Sequence, residues 1–349
     1  MLNFTKTEVI GLDIGSSAVK VVQLRKDNGC YAVTTAGITE IAPAASSCEA
    51  TGGEEDNNHQ NIVNAIRECF ASVPSKTKLA VCGLSGPEVA VREFEFPSLS
   101  SSEIEGAVLF EASQVCPFNA AESAIDYHLI PNGDNKTRGI LVAATNALIK
   151  SKVQLVKEAA LKCVLMDVEG LALLNCFNGL ANDSEKSTTA ILNVGSSHTT
   201  VAIMGGNCWP FIRDITYAGD DIIKQIAAEN NISTESVNGI LSGDSTASQT
   251  ELHNSPEKAC QKLIDDVSKT LRYYAAQEQS TPVEKIFVCG GFALTKGFVE
   301  LLSRRLGAEA VLWNPFEKIR CDKAQQLRNI CDRTGPALAV AAGLAMRSV

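Results

Sequence analysis

The sequence predicts an α/β fold of two similar halves facing one another across a cleft, and three stretches carry that prediction. Residues 9–24 run apolar strand, Gly15-Ser16-Ser17 turn, apolar strand. Residues 190–203 repeat the pattern about 180 residues later, around Asn193, Gly195, Ser196 and Ser197. The third stretch, 285–298, is an apolar strand that runs into Gly290-Gly291 and then a helix with Phe298, Leu301, Leu302 and Leu306 on one face. A strand–turn–strand unit present twice implies two lobes with a ligand site between them.

The chemistry of the first turn is that of an anion clamp. Gly15 and two small hydroxyl residues let backbone N–H groups converge on a phosphate. Asp13, at the strand end, can hold a cation through water, and Lys20 can return to the same place as a point charge. Turns of this composition also form for conformational reasons alone, and Asp13 then merely caps the turn. The argument therefore rests on the three stretches occurring together. Around a flat ligand such as an adenine ring, Gly290 and Gly291 would let the backbone pass close.

Composition bounds the rest. A chain of 349 residues can bury a large core and divide into lobes with subdomains. Hydrophobic residues at 45% and charged residues at 20% make wholesale disorder a poor fit. A formal charge of −9 argues against a nucleic-acid partner, whose footprint would be basic. The twelve cysteines are scattered and include no Cys-x-x-Cys pair, and Cys69, Cys82, Cys163, Cys176 and Cys289 sit in apolar runs. They read as reduced thiols behaving as small hydrophobes in a reducing compartment. With no signal peptide and no run approaching 18 apolar residues, the expectation is a soluble cytoplasmic protein without direct membrane insertion.

The elements follow in order. Residues 31–41 read as a strand and 43–58 as a polar loop; Ile62, Ile66, Cys69 and Phe70 fall at helical spacing before the strand 79–82. Residues 89–96 read as a strand, and Ser102-Glu103-Ile104-Glu105 offers a capping box for a helix reaching Val115. Residues 125–130 and 139–144 flank Asn132-Gly133-Asp134-Asn135 as a β-hairpin. A helix with Ile149, Val153, Val156 and Ala160 on one face closes this inserted α/β module. Further on, 220–229 and 232–241 read as helices, 242–255 as a polar loop, and 256–277 as a long helix with Cys260, Leu263, Ile264, Val267, Leu271 and Tyr274 on one face.

The three stretches in this order resemble the phosphate-1, phosphate-2 and adenosine motifs of the actin, Hsp70 and sugar-kinase superfamily. The resemblance spans nearly the whole chain and implies an actin-like (ribonuclease H-like) two-lobed ATPase fold. The module at 89–163 resembles the 1C subdomain of the FtsA and PilM branch. Residues 165–174 resemble the inter-lobe helix connect-1, and 335–345 resemble connect-2. The implied division is 1–88 with 164–186 and 336–349 as subdomain 1A, 89–163 as 1C, 187–218 with 279–335 as 2A, and 219–278 as the helical 2B. The chain runs to Val349 without an amphipathic tail of the FtsA kind, which points to the PilM family of type IV pilus assembly.

Carried over residue by residue, the resemblance implies ATP and Mg²⁺ as ligands. Asp13 would meet the cation through water, and Gly15, Ser16, Ser17 and Lys20 the phosphates. Asn193, Gly195, Ser196, Ser197, His198 and Thr199 form the second turn. Asn193 stands where Asp is usual, so it brings no charge and cannot take a proton, and binding should survive better than hydrolysis. Glu169 holds the place that orients an attacking water, or is a helix N-terminal carboxylate favoured by the macrodipole. His198 reads either as an acid/base group or as a local hydrogen-bonding residue. Gly219 and Glu235 match the base and ribose contacts, while Asn238 replaces a usual Lys. The implied role is an ATP-binding cytoplasmic scaffold with at most slow hydrolysis. It would be peripheral at the inner membrane, bound to the N-terminal peptide of a PilN-like protein and to other pilus assembly proteins, with self-association into a ring or filament. Competing readings are an FtsA-like division filament, a small-molecule kinase, and a scaffold that has lost its nucleotide.

Overall fold

The computed structural model describes residues 8–27, 29–43, 54–130, 135–180, 188–205, 209–243, 252, 255–277, 280–321 and 325–347. β1 (Ile10–Ile14) and β2 (Ala18–Asp27) pair antiparallel about the first turn, with Asp13 opposite Lys20. β3 (Cys30–Glu40) continues the meander, and α1 (Glu54–Ala71) lays Val63, Ile66 and Cys69 against it. β4 (Leu79–Leu84) then joins β1 in parallel. α1 already runs from Glu54, within the stretch 43–58 expected as a polar loop; residues 44–53 lie outside the described ones.

A separate small sheet follows. β5 (Val89–Pro97), α2 (Ser101–Val115), β6 (Ser123–Leu129) and β7 (Lys136–Thr145) form three strands in the order β5-β7-β6 under one helix. Its own core is Phe94, Ile104, Val108, Ala112 and Leu141. The capping residue of α2 is Ser100 rather than Ser102: its N–H donates to Glu103 Oε2 at 2.9 Å. The expected hairpin turn falls largely on 131–134, outside the described residues, but β6 and β7 pair antiparallel as its arms.

α3 (Asn146–Glu158) differs from expectation. It buries Leu155 and Val156 among Ile10, Leu12 and Ile66, so it covers the first sheet instead of closing the inserted module. The reason is topological: β4 and β8 (Lys162–Val168) are parallel neighbours, and a parallel pair needs a crossover. Val153 is exposed, and Ala160, at φ 59°, lies beyond the helix end. Residues 165–168, expected as the start of an inter-lobe helix, are strand β8; the helix α4 begins at Glu169 and runs to Leu180. An apolar run of this length reads equally as buried strand or buried helix, so periodicity could not decide it.

The second lobe repeats the first. β9 (Thr189–Val194), β10 (Thr199–Met204) and β11 (Pro210–Ile215) form a meander in which Asn193 stands opposite Thr200, the position equivalent to Asp13 opposite Lys20. α5 (Gly219–Asn230), α6 (Thr234–Ser242) and α7 (Ser255–Ala275) make a helical layer, with 244–251 outside the described residues. β12 (Lys285–Cys289), α8 (Phe298–Arg305) and β13 (Glu309–Leu312) complete the sheet, and α9 (Gln325–Thr334) and α10 (Ala339–Ala345) end the fold. The two five-stranded sheets have matching orders, β3-β2-β1-β4-β8 and β11-β10-β9-β12-β13. Between them α4 and α10 join one buried cluster that takes Val22 and Val81 from one sheet and Ile191 and Ala202 from the other.

Among the described residues no helix is long and apolar enough to cross a membrane. The ten described cysteines are all free; Cys69, Cys82, Cys176 and Cys289 are buried and Cys163 partly so.

Candidate functional site

The first turn is closed by the Gly15 N–H donating to Ala18 O at 3.1 Å. Register alone then brings Lys20 Nζ to 2.9 Å from Asp13 Oδ2, a pair that is almost fully buried. A Cβ on Gly15 would lie 3.3 Å from that ammonium, so the glycine leaves it room. Burial pushes the Asp13 carboxyl up against the pull of Lys20, and Glu169 pushes the same way. Burial opposes the charge of Lys20, but the Asp13 carboxylate outweighs it and raises the amine. Ser16 and Ser17 are exposed, and among the described residues their N–H groups take no protein acceptor. Lys152, from α3, donates to Ile14 O at 2.8 Å and brings a second cation beside Asp13.

The second turn is built the same way, with Gly195 N–H donating to His198 O at 3.1 Å. The N-terminus of α5 is stitched onto it: Gly219 N–H reaches Gly195 O at 3.0 Å and Asp220 N–H reaches Ser196 O at 2.9 Å. The Ser196 hydroxyl donates to the Asp220 carboxylate. Thr199 is fully buried and donates to Tyr217 O at 2.9 Å, which makes it a strut of the strand pair. Asn193 is buried, with Cys289 Sγ 3.8 Å from its Oδ1. Gly290 sits at φ +96°, and a Cβ there would lie 2.3 Å from Val194 O; only glycine lets β12 turn away so close to β9. Gly291 faces open space.

Across the cleft the two lobes touch through charged groups. Glu169, buried as the first residue of α4, has its Oε2 3.6 Å from His198 Nε2, and Gly83 makes the room, since a Cβ there would lie 2.9 Å from Glu169 Cγ. Asp214 of β11 accepts from the Gly86 N–H at 2.7 Å and from Thr200 Oγ1 at 2.6 Å, a second bridge between lobes. Burial opposes the charge on both members of the first bridge. The contact nevertheless holds Glu169 below the usual carboxylate range, helped by Lys152 and the Ser85 hydroxyl, and raises His198, helped by Asp214 and Asp13.

This pair gives a pH prediction with a definite sign. The raised His198 contributes stability fully below its ordinary 6.5 and loses it as pH rises through the raised value. The lowered Glu169 contributes fully above its ordinary 4.5 and loses that as pH falls through the lowered value. His198→Gln is therefore expected to cost about 1–2 kcal/mol on the mildly acidic side of neutrality and nothing at alkaline pH. Denaturant midpoints of parent and variant across pH check this.

Of the residues expected at the site, the structure links Asp13 with Lys20 at the first turn, Gly195 and Ser196 with the start of α5 at the second, and Glu169 with His198 between the lobes, while Gly290 packs against Val194. Glu235 and Asn238 are exposed on α6, where Glu235 is held by Ser233 and Thr234 of its own first turn. Four participants were missed. Ser85 and Gly86 follow β4 in a Gly-Leu-Ser-Gly run that a search for strand-to-turn glycines would have found. Lys152 and Asp214 carry no local signal and become visible only through packing.

The model of the family described as type IV pilus assembly protein PilM matches residues 11–349. The chain belongs to the PilM family. In three dimensions this PilM-family chain is similar to a chain of the PilM–PilN type IV pilus biogenesis complex, with 24% identity, a TM-score of 0.79, and coverage of 98% of this chain and 99% of that one. It is also similar to the ethanolamine utilization protein EutJ from Carboxydothermus hydrogenoformans, with 14% identity, a TM-score of 0.56, and coverage of 98% and 90%. A diol dehydratase-reactivating factor, solved in nucleotide-free form, matches at 10% identity, a TM-score of 0.55, and coverage of 97% and 98%. At these identities the likeness is one of fold, and the fold of this PilM-family chain is the actin-like one.

Proposed function

We propose that the chain is a nucleotide-binding scaffold of type IV pilus assembly whose partner is the N-terminal cytoplasmic segment of a PilN-like inner-membrane protein. The observation that carries the nucleotide half is the pair of matching turns: each presents serine N–H groups that take no protein acceptor among the described residues, at the end of a buried strand pair. Asp13, Lys20 and Lys152 stand behind the first turn, a donor set suited to a polyphosphate and a hydrated divalent cation. ATP with Mg²⁺ fits it: Asp13 would hold the cation's waters, Ser16, Ser17, Ser196 and Ser197 the phosphates, and Gly290 and Gly291 the base. When bound, the cation would offset phosphate charge. Asn193 supplies no charge opposite Asp13, and Glu169 already faces His198, so the site favours retention over hydrolysis. The partner half is supported by family membership and by the neighbouring PilM–PilN complex.

The test is calorimetric titration of the full chain with ATP and Mg²⁺, then with a synthetic peptide of the PilN-like N-terminus. Saturable binding of both is expected. Asp13→Ala should lose at least tenfold in ATP affinity while the peptide still binds, since one charged contact is worth about 1.5–3 kcal/mol. Unchanged ATP affinity in that variant would remove the assignment of the first turn. A second reading, a scaffold that has lost its nucleotide, is favoured by the His198–Glu169 pair spanning the cleft; peptide binding with no ATP binding would select it.

A further inference from the structure

The outer strand of the inserted sheet is open on one side. Among the described residues β6 pairs with β7 along one edge only, and Ile130 N–H donates to Arg138 O at 3.0 Å, so the even-numbered amides turn toward β7. The N–H groups of Ile125, Tyr127 and Leu129 therefore turn outward. Asp126 Oδ1 accepts the Tyr127 N–H at 2.8 Å, a side chain closing an outward donor at a free edge. The side chains of Ile125, Tyr127 and Leu129 lie on the α2 side, where Tyr127 meets Phe94 edge-on with ring centroids 6.5 Å apart. Tyr127 is 36% and Leu129 39% exposed, and on α2 Leu109 is 48% and Phe110 69% exposed. Among the described residues this small module thus carries a strand with one unpaired edge and exposed apolar side chains on one face.

We infer that β6 pairs antiparallel with β6 of a second copy of this chain, about a two-fold axis at Tyr127. The register is self-complementary. Tyr127 stands opposite Tyr127 of the second copy, Asp126 opposite its His128, and Ile125 opposite its Leu129. The outward amides at 125, 127 and 129 supply the hydrogen-bonded pairs, and Asp126 exchanges its hold on the Tyr127 N–H for the facing imidazole. Registers centred one residue either way put Asp126 opposite Asp126, two like charges, or His128 opposite His128 with no carboxylate to accept from the imidazole, so the Asp126–His128 pairing selects this one. A two-fold perpendicular to the sheet keeps its faces, so both α2 helices, with Leu109 and Phe110, fall on the same side of a joined six-stranded sheet. The inference does not depend on nucleotide binding.

Sedimentation equilibrium over a concentration series, with amide hydrogen exchange at its two ends, tests the pairing. The expected result is a monomer–dimer equilibrium in which exchange at Ile125, Tyr127 and Leu129 slows on dimerisation, while the intervening amides, already bonded to β7, do not change. Tyr127→Lys sets like charges on the axis and should weaken the dimer by on the order of tenfold or more. Because that change also removes the contact with Phe94, a charge exchange provides the second readout: Asp126→His alone should weaken the dimer, and Asp126→His with His128→Asp should restore it. A monomer at every concentration, a dimer indifferent to these substitutions, or exchange slowed without alternation would overturn the inference.

Discussion

Gly343→Val is expected to cost more than about 4 kcal/mol, or to prevent the chain from reaching its native state. A Cβ at Gly343 would lie 2.1 Å from Ala172 O and 2.6 Å from its carbonyl carbon. On its other side α10 is as tightly held: a Cβ on Gly11 of β1 would lie 2.0 Å from Ala341 O. The last helix is therefore wedged backbone against backbone between β1 and α4, and neither neighbour is a flexible side chain that can step aside. Relief requires α10 or α4 to move, and both belong to the buried cluster that joins the lobes. Denaturant unfolding measures the loss. Gly307→Ala is the control, since a Cβ there meets nothing within 4 Å, and its midpoint should stay within about 0.5 kcal/mol of the parent.

Lys20→Met is expected to destabilise the chain by about 3–5 kcal/mol near neutral pH, because it leaves the Asp13 carboxylate buried without its partner. The carboxyl can escape only by taking a proton, so its pKa, already pushed up by burial, rises further. An acid whose folded pKa lies above its unfolded value stabilises fully below that unfolded value, here 3.8, and loses the contribution as pH rises through the folded one. The deficit against the parent should therefore be small in acid and grow toward neutrality. Midpoints over that range check the slope, and Lys20→Met with Asp13→Asn should recover part of the loss because no charge remains to bury. A flat profile would mean that the pair is not felt.

Much of this was legible because it is local. The two turns depend on Gly, Ser and their flanking strands, and nothing distant is needed to form them. The order of strands followed from alternating apolar runs, and the glycines at 290 and 291 announced a backbone bend before any neighbour was known. The misreadings fall where a segment's fate depends on what packs against it. Residues 165–168 are apolar enough for either strand or helix, and the vacant parallel edge of β4 made them strand. α3 was assigned to the inserted module by its position in the chain, yet Leu155 and Val156 are claimed by the first sheet.

The sequence by itself determined the duplicated strand–turn–strand units, the inserted strand–helix–hairpin segment, and the return of Lys20 to the first turn; that Lys20 there pairs with Asp13 came from the structure. Only the tertiary structure decided which distant groups meet around the two turns. Lys152 reaches Ile14 from a helix more than a hundred residues away in the chain, and Asp214 reaches Gly86 from the other lobe. It also decided that Glu169 meets His198 and that β6 has a free edge among the described residues. The physical reason is range. Turn chemistry and periodicity act over a few residues, whereas burial and Coulomb interaction depend on which surfaces the completed core brings together.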